Sequence, residues 1–175
     1  MGDKKKEMLT VDIYSDGSAR GNPGPGGYGS YILYKDHDGE LHKVKLSQGY
    51  KKTTNNRMEI MGVIKAIEWI NEHIGERCML RVYSDSAYVV NAIIEGWIIK
   101  WKGNGWFRDN KKKYSVKNRD LWVRLEEVRK DHDFYITHVA GHANNEGNEI
   151  ADSLAVAAST NEDESTLIED DGYSK

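Results

Sequence analysis

A chain of 175 residues, 38% apolar and 30% charged, suits one domain with a sizeable core. No apolar run approaches the roughly 18 residues of a membrane span, and one cysteine, Cys78, excludes a disulfide framework and a cysteine-type zinc site. The formal net charge of −3 hides a split: residues 161–175 carry six acids against Lys175, and the remainder holds 24 basic and 22 acidic residues.

Residues 1–8 read as a flexible N-terminus. No apolar stretch follows the first seven residues, so no secretory leader is expected, and Gly2 lacks the downstream Ser or Thr of a myristoylation signal. With a single thiol, a cytoplasmic setting is expected. Residues 9–16 read as a strand. Residues 16–27 then hold five glycines and both prolines of the chain. They read as a stiff hairpin loop that leaves Asp16 at a sheet end, where backbone can approach a ligand closely. Alone, the Asp16-Gly17 pair would be an ordinary turn.

Residues 28–34 and 41–50 read as two further strands joined by the turn Asp36-His37-Asp38-Gly39. Thr53, Thr54, Asn55 and Asn56 offer helix-capping chemistry, and residues 57–73 follow a helical pattern closed by Gly75. Residues 79–84 form a short apolar strand and 86–95 a helix. A basic aromatic segment follows: residues 97–119 hold eight Lys or Arg and one acid, Asp109, interleaved with Trp97, Trp101, Trp106, Phe107 and Tyr114. Residues 117–130 form an amphipathic helix, 134–139 a strand and 146–158 an Ala-rich helix. The acidic residues 161–175 lack periodicity and are expected to be disordered. Three strands followed by alternating helices and strands give an α/β domain with a mixed sheet, spanning residues 9–160.

Four carboxylates stand out. Glu59 extends the apolar helix face of Val63, Ala66, Ile67 and Ile70, where an unpaired charge is costly, so it should meet a cation, a metal or a donor. Asp85 ends the strand over residues 79–84, either as a helix cap or as a second carboxylate beside Asp16. Asp152 lies within the last helix, where Asp is unfavourable by propensity. Together these hard oxygen donors suit Mg²⁺ or Mn²⁺, and clustered like charges call for a cation. Two such ions, about 4 Å apart, activate water and stabilise a leaving oxygen in phosphodiester hydrolysis.

The motifs Tyr14-Ser15-Asp16-Gly17-Ser18, Gly21-Asn22-Pro23-Gly24-Pro25-Gly26-Gly27, Thr53 through Glu59, Ser84-Asp85-Ser86, Val139-Ala140-Gly141-His142 and Asn148 through Asp152 resemble, in order, those of ribonuclease HI. The resemblance spans residues 9–158 and implies the RNase H-like fold, a five-stranded mixed β-sheet flanked by helices. It implies a Mg²⁺-dependent endoribonuclease that cleaves the RNA strand of RNA–DNA hybrids, with two ions per site and Mn²⁺ as a substitute. It implies metal-binding roles for Asp16, Glu59, Asp85 and Asp152, and a loop role for His142 in proton transfer or product departure. Asn22, Thr54, Asn55 and Asn56 match substrate-gripping positions. The segment 97–117, with Trp97, Trp101, Trp106, Lys111, Lys112 and Lys113, resembles a basic protrusion that holds substrate. Ala87 stands where relatives often carry a polar, substrate-contacting residue. The expected partner is the RNA–DNA hybrid duplex, with no membrane association and a monomeric chain. A non-catalytic hybrid-binding module and an integrase-like two-metal nuclease are the alternatives, and all four carboxylates weigh against the first.

Overall fold

The strand β1 (Leu9–Ala19) runs three residues past Asp16, and β2 (Gly24–Lys35) starts four before Tyr28. The glycine-rich stretch is thus mostly strand rather than loop, a correction to the expected hairpin. The computed structural model describes residues 7–140, 145–160 and 166–173. After β2 come β3 (Leu41–Thr53), α1 (Asn55–His73), β4 (Cys78–Ser84), α2 (Ala87–Ile94), α3 (Trp97–Gly103), α4 (Arg119–Arg129), β5 (Asp133–His138) and α5 (Glu146–Ser159).

The five strands form one mixed sheet in the order β3-β2-β1-β4-β5. β1, β2 and β3 pair antiparallel, as short connections allow, whereas β4 and β5 join parallel through helical crossovers. Val11 and Ile13 in β1, Ile32 in β2 and Leu80 and Val82 in β4 are fully buried. They join the apolar stripe of α1, which includes Val63, Ile64, Ile67 and Ile70, and Trp122 and Leu125 of α4 in one core. The α1 stripe recurs at helical spacing, so the packing follows from sequence pattern. Cys78 lies buried at the start of β4, as a small apolar residue would.

The glycines of β2 have a different use from the one their spacing suggests. A Cβ on Gly29 would collide with the backbone of Ala151 and lie 2.6 Å from Ala155 N, and one on Gly27 would lie 2.6 Å from the Ala158 methyl group. Bare backbone on β2 lets the small-residue face of α5 lie directly on the sheet. Ala151 and Ala155 are fully buried there.

Residues 166–173, expected to be disordered, have a defined place. Ile168 forms a parallel bridge to Tyr50, donating to Gly49 O at 3.1 Å and accepting from Lys51 N at 2.9 Å. Asp170 is buried against Arg57. Edge-strand backbone groups, the Gln48 and Thr53 side chains and the ion pairs Arg57–Asp170 and Lys51–Glu169 hold this segment, and none produces a hydrophobic period that sequence patterning could register.

Gly29→Ala should lower stability by about 1–3 kcal/mol, because the methyl meets α5 backbone rather than a movable side-chain end. Thermal unfolding of the purified variant measures this.

Candidate active site

The site is built by register. In the parallel ladder Ser15 of β1 pairs with Ser84 of β4, so Asp16 and Asp85 each stand one residue beyond the last pair. Adjacent strands therefore present two carboxylates side by side at one end of the sheet. Asp16 is within β1 rather than at its end, since its antiparallel pairing with β2 continues through Gly29. Asp85 is not a helix cap: Ser86 caps α2, accepting from Val89 N at 3.2 Å. Its carboxylate is free of the capping role that sequence alone left open.

Glu59 arrives from α1. Gly17 makes this possible, because a Cβ there would collide with the main chain of Met58 and Glu59. The first turn of α1 therefore rests directly on β1. Ligand oxygens of Asp16, Glu59 and Asp85 all lie within 4.8 Å of one another. Asp16 and Glu59 are buried, 6% and 9% exposed. Asp152 lies on the exposed side of α5, near enough to Asp16 for a hydrogen bond between the two carboxyls when one is protonated. The structure thus brings the four sequence-nominated carboxylates to one place. His142 lies outside the described residues. His138 Nε2 contacts Asp85 O at 3.1 Å, a structural position.

The electrostatics follow from crowding. Burial, then Asp152 and the charge of Asp85, raises Asp16 from 3.8 to about 7. Burial, followed by the charges of Asp16 and Asp85, raises Glu59 well above its usual 4.5. Glu59 Oε2 is buried with no hydrogen-bond partner. An orphaned, buried carboxylate oxygen among other carboxylates fits a hard divalent cation. A second grouping, Asp36, Glu40 and His42, has internal partners: Asp36 accepts from the Asp38 and Glu40 amides and pairs with His42 at 2.7 Å.

The surrounding polar residues form a connected rim. Thr54 caps α1 through Arg57 N at 3.2 Å. Asn55 accepts from Ala19 N at 2.7 Å, and its own N–H donates to Asn22 at 3.2 Å. These bonds tie the β1–β2 turn to the start of α1, with half-buried Asn56 beside them. In the basic segment, Trp101 and Trp106 pack against the core, Trp101 lying 6.0 Å from Trp122 between ring centroids. Trp97 is more exposed, at 38%, and Lys111, Lys112 and Lys113 face solvent. Asp109 organises the loop by accepting from the Lys113 and Tyr114 amides. The tryptophans expected to touch substrate thus divide into two anchors and one outward ring.

Sequence reading missed Gly17, Arg57 and Asp170. Gly17 adjoins the first carboxylate and Arg57 interrupts a capping motif, so each carried a local signal. Asp170 carried none.

The RNase H family model matches residues 8–160. A ribonuclease H of Syntrophus aciditrophicus is 46% identical over 169 residues, covering 97% of this chain and 90% of the relative. A ribonuclease HI of Synechocystis sp. is 45% identical over 166 residues, covering 95% and 96%. Among solved structures, LC9-RNase H1 superposes with a TM-score of 0.77 at 31% identity, covering 89% of this chain and 74% of that one. Ribonuclease H1 of Halobacterium salinarum superposes at 0.58 with 27% identity, covering 85% and 96%.

Asp16 holds its proton more tightly in the folded state than its usual 3.8, with a folded value of about 7. The stability it contributes is therefore present below about pH 4, falls as pH rises towards 7, and stays low above that. In EDTA, thermal stability should decline over this range, and Mg²⁺ should restore it at pH 8. Asp16→Asn should raise the EDTA-treated melting temperature at pH 8 by several degrees, on the order of 1–2 kcal/mol, and weaken the response to Mg²⁺.

Proposed function

Since the chain belongs to the ribonuclease H family, we propose that it hydrolyses the RNA strand of RNA–DNA hybrids with two divalent cations, leaving 5′-phosphate and 3′-hydroxyl ends. The observation that carries this reading is the convergence of Asp16, Glu59 and Asp85 within 4.8 Å, with Asp152 beside them. A single missing carboxylate would have favoured a binding module; all four are present.

Asp16, Glu59, Asp85 and Asp152 would hold the cations, Mg²⁺ with Mn²⁺ as a substitute. Bound there, such ions supply water activation and charge neutralisation at the leaving oxygen of a phosphodiester. The chain's own residues do the rest. Asn22, Thr54, Asn55 and Asn56 line the rim as amide and hydroxyl groups that can engage phosphate, minor-groove edges and 2′-hydroxyls, the last separating RNA from DNA. The positive end of the α1 dipole favours anionic oxygen nearby. His142 has the acid–base range for moving a proton during reaction or product departure. Trp97 and Lys111, Lys112 and Lys113 present an aromatic and basic surface to the duplex backbone, with Trp101 and Trp106 holding that surface in place. The chain works as a monomer in the cytoplasm. No helix among the described residues is long and apolar enough to cross a membrane.

Comparing RNA–DNA hybrid, duplex DNA and duplex RNA as substrates tests the reading: hybrid should be cleaved in Mg²⁺ and the other two spared. Asp85→Asn should reduce kcat by at least about 100-fold while leaving the fold intact. Near-normal cleavage by that variant would sink the assignment. Replacing Lys111, Lys112 and Lys113 with Gln should raise KM about ten-fold and lower the salt slope by roughly 2–3, with kcat little changed. Unaltered KM at both low and high salt would remove the segment from substrate binding.

A further inference from the structure

The most heavily bonded charge outside the carboxylate cluster is Arg57. It lies two residues before Glu59, one turn into α1, and its side chain is 3% exposed. Its Nε and Nη2 donate to Asp170 at 2.7 and 2.9 Å. Nη1 and Nη2 donate to Asp120 at 2.8 and 2.7 Å, and Nη1 reaches Asn118 Oδ1 at 3.4 Å. The planar guanidinium thus bridges two carboxylates in paired geometry, which a lysine could not do. Asp170 is equally buried, with Thr53 donating to it at 2.6 Å.

These partners belong to three separate parts of the chain. Thr53 and Arg57 flank the Thr54-Asn55-Asn56 turn. Asn118 and Asp120 start α4, where the basic segment returns to the core; Asn118 has φ of +61° and donates to Tyr88 Oη at 3.0 Å. Asp170 belongs to the C-terminal segment, which is itself pinned to the β3 edge through Ile168 and by Gln48 Nε2 donating to Thr166 O at 2.8 Å. A Cβ on Gly172 would lie 2.6 Å from Arg57 Nη2 and overlap Asp120, so the segment closes tightly over the guanidinium. Tyr173 places its ring 5.9 Å from Lys52 Nζ. The starts of α1 and α4 and this segment together wall a cavity of about 820 Å³ lined by Lys52, Lys117, Asn118, Arg119 and Tyr173.

We propose that residues 166–173 are a positioning strap for substrate: through Asp170 and Arg57 they hold the Thr54-Asn55-Asn56 turn in fixed relation to the root of the basic segment. This rests on the hybrid-hydrolysis reading above. The strap touches none of the four carboxylates, so it acts on the grip and not on the chemistry. A grip made of two elements binds well only when their spacing is set before substrate arrives. Asp120 remains to pair Arg57 if Asp170 is altered, so the buried guanidinium keeps a counter-charge.

The test uses the full-length chain with Asp170→Ala, Asp170→Asn, which preserves shape and one acceptor, and the control Asp38→Asn, exposed in the turn between β2 and β3 and outside the strap. Steady-state cleavage of hybrid is measured well below each melting temperature, along with hybrid affinity in an Asp16→Asn background. Asp170→Ala should raise KM and the hybrid Kd about five-fold or more with kcat within about two-fold, Asp170→Asn should fall between, and Asp38→Asn should match wild type. A lower melting temperature with unchanged KM and Kd would make the strap a purely structural tether and overturn the proposal, as would loss of folding in both Asp170 variants. Absence of hybrid cleavage by wild type would instead defeat the functional reading on which the strap depends.

Discussion

Three carboxylates within 4.8 Å of one another, two of them buried, are the arrangement the rest of this molecule is built to hold. Burial first, and the neighbouring carboxylates next, make both Asp16 and Glu59 resist ionisation. The arrangement persists because each carboxylate is carried by an element whose position is set by something else. Asp16 and Asp85 are held by the ladder through Ser15 and Ser84. Glu59 is held by a helix whose apolar stripe is buried along its length. A divalent cation held there, as proposed above, would convert the repulsion into binding.

Close approach of backbone is the recurring device. Gly17 admits α1 to β1, and Gly27 and Gly29 admit α5 to β2. Each contact brings one carboxylate-bearing helix to the sheet: Glu59 in the first case, Asp152 in the second. The glycines therefore do less as turn formers than as absent side chains, and the distance between the carboxylates is set by main-chain contact as well as by side chains.

The polar rim and the basic segment are held differently. The rim from Asn22 to Asn56 is tied by hydrogen bonds to backbone amides, the basic segment is anchored by Trp101 and Trp106 on the core, and Arg57 joins the base of both. On the function proposed above, such a surface keeps its working side chains exposed, so its supports lie beneath and beside them.

Much of this was legible before folding. Periodicity placed the five strands and α1, α2, α4 and α5 within a few residues, because burial on one face of a helix or sheet leaves a repeating mark, whereas α3 lay inside the basic aromatic segment. Glu59 and Asp152 stood out because an acid is unfavourable where each lies, whereas Asp16 and Asp85 gained weight from that company and from the resemblance. What the sequence by itself determined was the elements, their order, the apolar faces and the identity of the acids. Only the tertiary structure decided that Asp16 sits inside a strand, that Asp85 is no cap, that Trp101 and Trp106 are anchors, and that residues 166–173 close over Arg57. The reason is physical: strand register, absent Cβ atoms and the ion pairs of Arg57 with Asp120 and Asp170 depend on what lies opposite in space, and none of them imposes a period along the chain.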